Sequence, residues 1–500
     1  MSPAAASSAA LPPQRGGGNA SPGSRLRRFL AIDERADCIA WSQAVSGRSI
    51  IYCTAIAAVA TYFPWWETLL VVSAAMAAAY MSKFRNPILF TATWSAAFLE
   101  MGLAENSILE DIGVVMQQEQ MAGPPPMVLA SLFLLFVMIG AWGSLEWVRR
   151  HPHCLLARRP LLCLLALEVV LCGLTTMDGM QGLPRVMLWS MLIVLTPYVW
   201  FLPFAIVDQR SQQASPRLMQ LAVLRPFWSP TYLPFGKGAA FLRKHLSKTP
   251  EDLAITQLKA IKLLIWSNAL LALKSAMTLV FEDYLQIPRV EVALDAFLRG
   301  QPYPIAVGWA CLLLSTAKYA LTIALWSALF IGIARLAGYR LPRGCWRPLE
   351  SRTLMEYFNR FHYYFKELLV DFFFLPTFFA VFRGYPRLRM FFATFMAAGV
   401  GNALWHFLRQ IDNVATMGLA GAIDSFTSYL FYCVILATGI GISQVRASVG
   451  IRPSATHFGM LYSGLCVWSF VVCLHVFGGE SSRHTLLERV LFMMSLFGVA

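Results

Sequence analysis

The sequence predicts an all-α, polytopic integral membrane protein with about ten to twelve transmembrane helices and one re-entrant helix. Three observations predict it. Hydrophobic residues make up 57% of the 500-residue chain, charged residues only 14%, and the mean hydropathy is +0.56, far from soluble globular norms. Residues 127–147, 186–207 and 458–477 each supply roughly twenty apolar residues, enough to cross a bilayer as a helix. The loops between such stretches alternate between acidic and basic, the pattern of the positive-inside rule.

Taken in order, residues 1–47 are rich in Ala, Pro, Gly, Ser and Arg and hold no apolar run that could serve as a signal peptide. This composition predicts a disordered, basic, cytoplasmic tail, with 25–41 set to lay its arginines on anionic lipid. Residues 48–500 read as a single multi-pass membrane domain. Within it, 49–63 and 68–81 flank Pro64, Trp65 and Trp66, as two short helices or a hairpin that dips in. Residues 87–104 lead to a loop with Glu105, Glu110, Asp111 and Glu119 and no Lys or Arg. After 127–147 comes a loop with Arg149, Arg150, Arg158 and Arg159. Residues 161–175 then run outward and 186–207 return to a long basic loop that lasts to about Lys259.

Residues 263–281 lead out to Glu282, Asp283, Glu291 and Asp295. The return, 305–334, is long for one helix and predicts a tilt or a break near Lys318. It ends at Arg335, Arg340, Arg343 and Arg347, so the basic side and the N-terminus are expected in the cytoplasm. Residues 356–379 carry arginines on both flanks, Arg343, Arg347 and Arg352 before and Arg383, Arg387 and Arg389 after. A segment that leaves and rejoins one face is re-entrant, tolerated only where protein or a cavity surrounds it. Its break is expected at Leu375-Pro376-Thr377, because proline disfavours helix at the residue before it. Residues 390–407 cross outward, 422–442 return, 458–477 cross again, and 486–498 form a short last helix.

The net charge of +14 does not imply nucleic acid, since the basic residues sit at span ends. Ten cysteines show no Cys-x-x-Cys spacing and read as small buried hydrophobes. No histidine spacing suits a metal, since His151 and His153 lie in a basic loop. Gly441-Ile442-Ser443-Gln444 lacks the Gly-x-Ser-Gly of a rhomboid-type protease. Glu168, Lys274 and Lys318 sit inside spans, to pair structurally or to line a tunnel. The loop 225–253 mixes Pro, Trp, Phe and Lys; it either covers the cytoplasmic mouth and binds donor phosphates or rests at the interface.

Two polar patches stand out in this apolar sequence: residues 357–376, YFNRFHYYFKELLVDFFFLP, and residues 394–409, TFMAAGVGNALWHFLR. Ionisable groups at membrane depth are costly and mark functional paths. As a continuous helix, the first patch puts Asn359, His362 and Lys366 on one face and Glu356, Tyr363 and Glu367 on the next. In the second, Asn402 and His406 are one turn apart, with Arg409 beyond. Ala397, Ala398, Gly399 and Gly401 let another backbone approach closely, and with no βαβ context Gly399-Val400-Gly401 is helix packing rather than a nucleotide loop. A neutral imidazole in such a place can take a proton from a hydroxyl near pH 7. Arg360 or Lys366 suits an anionic donor group, and Asn402 suits an oxyanion or the imidazole itself.

The two patches together resemble the signature of the membrane-bound O-acyltransferases (MBOAT), especially the bacterial branch that acylates cell-envelope polysaccharides. That branch carries Arg-aromatic-His at the start of a re-entrant helix, then an Asp nine residues on and a Pro five further, matched by Arg360-Phe361-His362, Asp371 and Pro376. Its second motif, Leu-Trp-His in a glycine-rich helix, is matched by Leu404-Trp405-His406. Phe407 replaces the usual small residue, and Tyr363-Tyr364 a more polar pair, as in a divergent member with an altered pocket.

The resemblance implies an MBOAT-like fold with its catalytic core at about 225–445. It implies that His406 is the catalytic histidine and His362 its partner, with Asn359, Arg360, Lys366, Asp371, Asn402 and Trp405 as the substrate-binding set. The implied reaction is O-acylation, O-acetylation for example. An acyl thioester, acyl-CoA or an acyl-carrier protein, is the co-substrate, and a hydroxyl of an envelope polysaccharide or lipid is the acceptor. No metal and no bound cofactor is expected. The implied partners are membrane lipid, donor, acceptor and an extracytoplasmic protein, in a bacterial cytoplasmic membrane. The competing class is a non-catalytic transporter or a scaffold for an envelope-assembly enzyme, which has no need of the His362 and His406 pair.

Overall fold

Runs of Leu, Ala, Val and Phe with few internal breakers fold locally into helix, and 77% of the computed structural model is helical. It describes residues 31–101, 107–229, 237–480 and 483–499. No sheet forms among these residues; one antiparallel bridge joins Leu246 to Tyr339. Among the described residues six helices are long and apolar enough to cross a bilayer: Pro126–Arg150, Pro250–Tyr284, Ile305–Leu336, Pro386–Leu408, Ile411–Ser448 and His457–His475. The pair Leu183–Val199 and Leu202–Gln209, bent by 58°, makes a seventh if counted as one span. Val45–Val59 and Pro160–Thr175 are apolar but shorter, at 15 and 16 residues. The architecture is that of a polytopic, multi-pass membrane protein.

Several expectations need correction. Residues 186–207 are not one straight helix: the chain turns at Trp200 and Phe201, between Pro197 inside the first piece and Pro203 at the start of the second. Each proline removes a helical donor, and two so close together favour a joint. Ile305–Leu336 runs unbroken past Lys318, because the ammonium reaches sideways to Glu282 instead of disrupting the backbone. The helix expected from 263 starts at Pro250, where Thr249 caps it by accepting from the Asp252 N–H at 3.0 Å. Of the tail expected to be disordered, residues 1–30 lie outside the described residues. Ala36–Gln43 is helical, and Asp33 beside it is held by Lys262 at 2.6 Å. The last helix, Leu486–Leu496, opens on a capping box between Thr485 and Glu488.

The segment expected to break at Pro376 breaks at His362 instead. Leu354–Phe361 and Tyr363–Leu369 are separate helices, and His362 between them has φ −125° and ψ 54°. Pro376 sits in the first turn of Leu375–Ala380, after a π-helical stretch, Val370–Phe374. The wider π turn absorbs the missing proline donor, so the chain passes Pro376 without stopping. Both flanks of this segment meet the same stretch, Gly439–Gln444, of the Ile411–Ser448 helix. The Met355 N–H donates to Ser443 Oγ at 3.4 Å, and Leu354 leaves no room for a Cβ on Gly439. On the other flank the Phe391 ring lies against Gly441, and Thr394 hydrogen-bonds Gln444. Residues on both sides of the segment therefore pack against the Gly439–Gln444 stretch of that helix.

Two large clusters of buried side chains frame this region. One joins Pro126–Arg150, Pro160–Thr175 and Leu183–Gln209 to Phe365, Leu368, Leu369, Trp405 and Leu408. The other packs the Val45–Tyr80 hairpin on Pro250–Met277 and the last turns of Ile305–Leu336. A third, at the end carrying Glu282 and Glu291, holds Leu294, Leu312, Leu436, Val476 and Phe492. The two polar patches meet between the first and the third.

Candidate active site

The break at His362 is built into the backbone. Thr353 caps the helix before it, accepting from the Glu356 N–H at 3.1 Å. On either side of the break, helical bonds give way to bonds with a neighbouring loop: Trp346 N–H donates to the Arg360 carbonyl at 2.7 Å, and Tyr363 N–H to the Gly344 carbonyl at 3.1 Å. The loop is also pressed against the Ile305–Leu336 helix, where a Cβ on Gly344 would lie 2.4 Å from Ser327 Oγ. The His362 ring, freed from helical register, packs edge-on to Phe361 with centroids 4.4 Å apart.

The second patch reaches the same place by a different distortion. Met396–Gly401 is π-helical and Asn402–Leu408 is α-helical. The extra residue in a π turn rotates the phase of the helix downstream, a feature that recurs at functional sites. Gly401 permits the approach: a Cβ there would sit 2.8 Å from the Phe373 ring. Phe365 joins the patches, with its ring 4.8 Å from Trp405, 5.9 Å from His406 and 6.5 Å from His362. Both imidazoles thus face one buried phenyl ring. Tyr429 closes the other side of His406, with centroids 4.5 Å apart.

The residue that completes the site is Glu480, in the turn after His457–His475. Its Oε1 lies 2.9 Å from His406 Nδ1 and also takes the Arg409 guanidinium. The approach to Nδ1 is short but off the line of a well-formed hydrogen bond, and it becomes an ion pair once the imidazole takes up a proton. Arg409 in turn covers the Trp405 ring at 5.4 Å. The His406 and Glu480 side chains are only 14% and 15% exposed, so their attraction is weakly screened. Burial alone would push the Glu480 carboxyl up, but His406 and Arg409 outweigh it and hold it below its ordinary value. With Nδ1 engaged by Glu480, His406 Nε2 makes no hydrogen bond among the described residues.

The expected substrate-binding residues divide into three groups. Asn402 and Trp405 are at the centre, and Asn402 Oδ1 and Trp405 Nε1 are buried without a hydrogen-bond partner. Four of the buried side-chain atoms left without a partner among the described residues, Asn402 Oδ1, Trp405 Nε1, His406 Nδ1 and Glu480 Oε2, belong to this one site. Lys366 and Asp371 belong to a neighbouring charge cluster: Lys237 Nζ is 2.9 Å from Glu367 and 2.7 Å from Asp371, while Lys366 Nζ is 2.7 Å from Glu367. Asn359 is exposed, and Arg360 spends its guanidinium on Glu356, Glu350 and the Arg347 carbonyl. The single face expected for Asn359, His362 and Lys366 does not exist, because the helix breaks at its middle member.

Glu480 and Lys237 escaped the sequence reading. Each lies far along the chain from the patch it serves, where no local spacing marks it. Among the described residues no group of three or more His, Cys, Asp or Glu is placed to hold a metal ion. Compared with known proteins, the sequence matches no family model and no curated protein.

Proposed function

We propose that this chain is a membrane-bound O-acyltransferase of the MBOAT type, with His406 as general base. The observation that carries the proposal is the pairing of His406 Nδ1 with Glu480, 2.9 Å away. A carboxylate beside Nδ1 keeps the proton there and leaves the Nε2 lone pair for an incoming hydroxyl. A histidine retained only for packing has no use for a charged orienting partner, and burying a carboxylate beside it for packing alone is costly.

In the reaction, the acceptor hydroxyl gives its proton to His406 Nε2 while its oxygen attacks the thioester carbonyl. The tetrahedral oxyanion collapses, the C–S bond breaks, and the imidazolium returns the proton to the leaving thiolate. The products are an ester and a free thiol. Glu480 stabilises the imidazolium that forms in between. His362, against the same phenyl ring, serves as a neutral hydrogen-bonding group.

In this reading residues 354–380 are the re-entrant segment, supported by the meeting of both flanks on the Gly439–Gln444 stretch of Ile411–Ser448. The basic end is cytoplasmic and admits the thioester donor; the end with Glu282 and Glu291 admits the acceptor. Mass spectrometry of envelope glycans and lipids with and without the gene tests the function. Loss of an acyl mass from a hydroxyl is expected. An unchanged set of acylated hydroxyls would favour a transporter or scaffold instead.

A further inference from the structure

Two basic stretches of the chain meet where the Ile411–Ser448 helix ends. Gly399 lies against Ala437 and the Phe391 ring against Gly441, so Pro386–Leu408 and Ile411–Ser448 run antiparallel. That pairing sets Arg383, Arg387 and Arg389, at the start of one helix, beside Arg446 and Arg452, at the end of the other. No carboxylate occurs in residues 372–411 or 425–479. Glu350 and Glu356, from the neighbouring Leu354–Phe361 helix and the turn before it, are held by Arg347 and Arg360. Among the described residues the side chains of Arg387, Arg446 and Arg452 have no hydrogen-bond or ion-pair partner. Arg383 bonds only the Phe379 carbonyl, at 3.2 Å. Arg389 lays its guanidinium 4.2 Å over the Phe378 ring, and its Nε is buried without a partner. Clustered guanidiniums repel one another and gain when an anion arrives.

Exposed apolar side chains interleave with these arginines: Phe379, Tyr385 and Leu388 on one stretch, Val449 and Ile451 on the other. Phe382, in the turn between Phe379 and Tyr385, holds φ 51°, a conformation rare for a bulky residue. Its ring is 40% exposed and leans on Phe392 with centroids 5.2 Å apart. On the Ile411–Ser448 helix, Leu430, Val434, Ile442 and Arg446 are all exposed. Their steps of four and eight residues put them on one ridge, an apolar track that ends on a guanidinium. An acidic protein surface matches the arginines but not this ridge, which runs along a membrane-spanning helix. A phospholipid matches both, its phosphate on the arginines and an acyl chain along Leu430, Val434 and Ile442.

We propose that this corner of the bundle is a binding site for an anionic phospholipid, with Arg387, Arg446 and Arg452 around its headgroup phosphate. The site stands whether or not the chain transfers acyl groups. Its occupant neutralises a cluster that the protein leaves without carboxylates, and ties the loop after Leu375–Ala380 to the membrane.

The test is lipid binding by the full-length protein in mild detergent, with bound lipid counted by native mass spectrometry. The probes are dioleoylphosphatidylglycerol and dioleoylphosphatidylcholine, which share their chains and differ in headgroup charge. Phosphatidylglycerol should bind at least about tenfold more tightly, the worth of one charge-assisted hydrogen bond. Arg387→Gln combined with Arg446→Gln removes no side-chain contact within the described protein, so the fold should survive, as thermal unfolding will show. That double variant should lose about tenfold or more in phosphatidylglycerol affinity and keep its phosphatidylcholine affinity. Arg149→Gln, at a guanidinium already paired with Glu146, should change neither. Soluble sn-glycerol 1-phosphate, the headgroup without chains, should not displace the lipid at equal concentration. Equal affinity for the two lipids, or a double variant that binds phosphatidylglycerol like wild type, would overturn the proposal and leave the arginines to an acidic protein. An equal loss from Arg149→Gln, which would mean general charge attraction, or displacement by the soluble phosphate would overturn it too.

Discussion

His406 Nδ1 stands 2.9 Å from Glu480 Oε1, a contact between residues 74 positions apart that joins the second polar patch to the turn after His457–His475. If Glu480 orients the base, Glu480→Gln should lower acyl transfer by at least about tenfold with KM for the donor little changed. The same contact has a pH signature. A carboxyl held below its unfolded value contributes stability that is present above that value and is lost as pH falls through the folded one. Wild-type thermal stability should therefore fall on the acid side, below the ordinary carboxylate range, and the Glu480→Gln profile should be flatter there. Identical profiles for the two proteins would show that the contact does not form in solution.

Close backbone approach at Gly401 gives a stability test. Gly401→Ala places a methyl 2.8 Å from the Phe373 ring and should cost about 1–3 kcal/mol, as overpacking does. Gly464 in the His457–His475 helix has open space around it, so Gly464→Ala should be neutral or slightly stabilising, by about 0.5–1 kcal/mol. Thermal unfolding in a single detergent compares the two. A tolerated Gly401→Ala would mean that the two patches do not meet closely.

Lys237 answers both Glu367 and Asp371. Lys237→Met leaves two half-buried carboxylates with Lys366 alone and should destabilise by about 2 kcal/mol. Lys237→Arg, which keeps the charge, should recover most of the loss. Denaturation of the three proteins under one condition decides it, and a Lys237→Met protein as stable as wild type would assign the cluster to solvent.

The flanks of residues 354–380 predict a labelling pattern. Single cysteines at Arg343 and Arg387 should react with an impermeant thiol reagent from the same face, and a cysteine at Asp283 from the opposite face. Labelling of the Arg343 and Arg387 positions from different faces would make the segment a true span and remove the re-entrant reading.

Features encoded locally were legible in the sequence. Residues 127–147 and 458–477 announced Pro126–Arg150 and His457–His475 because an apolar run long enough to cross a bilayer has little choice but helix. The small-residue run at Ala397–Gly401 likewise announced close packing, and Gly399 and Gly401 do lie against Ala437 and Phe373. The departures arise where tertiary partners override local preference. Pro376 suggested a break, but a π turn accommodates it. His362 looked like mid-helix sequence, but the Gly344–Trp346 loop captures the backbone on either side. Arg360, expected to hold an anionic donor group, meets Glu356 and Glu350, which its local sequence did not single out as partners. Glu480 could be found only in three dimensions.

The most direct test of the account is acyl transfer by purified His406→Ala, set beside His362→Asn and wild type in nanodiscs, with folding checked by thermal unfolding. Removing a general base should lower transfer by roughly 10²–10⁴-fold while donor affinity stays nearly unchanged. His362→Asn should retain appreciable activity, because an amide can donate or accept in the same space. A folded His406→Ala protein that transfers acyl groups at the wild-type rate would contradict the mechanism outright.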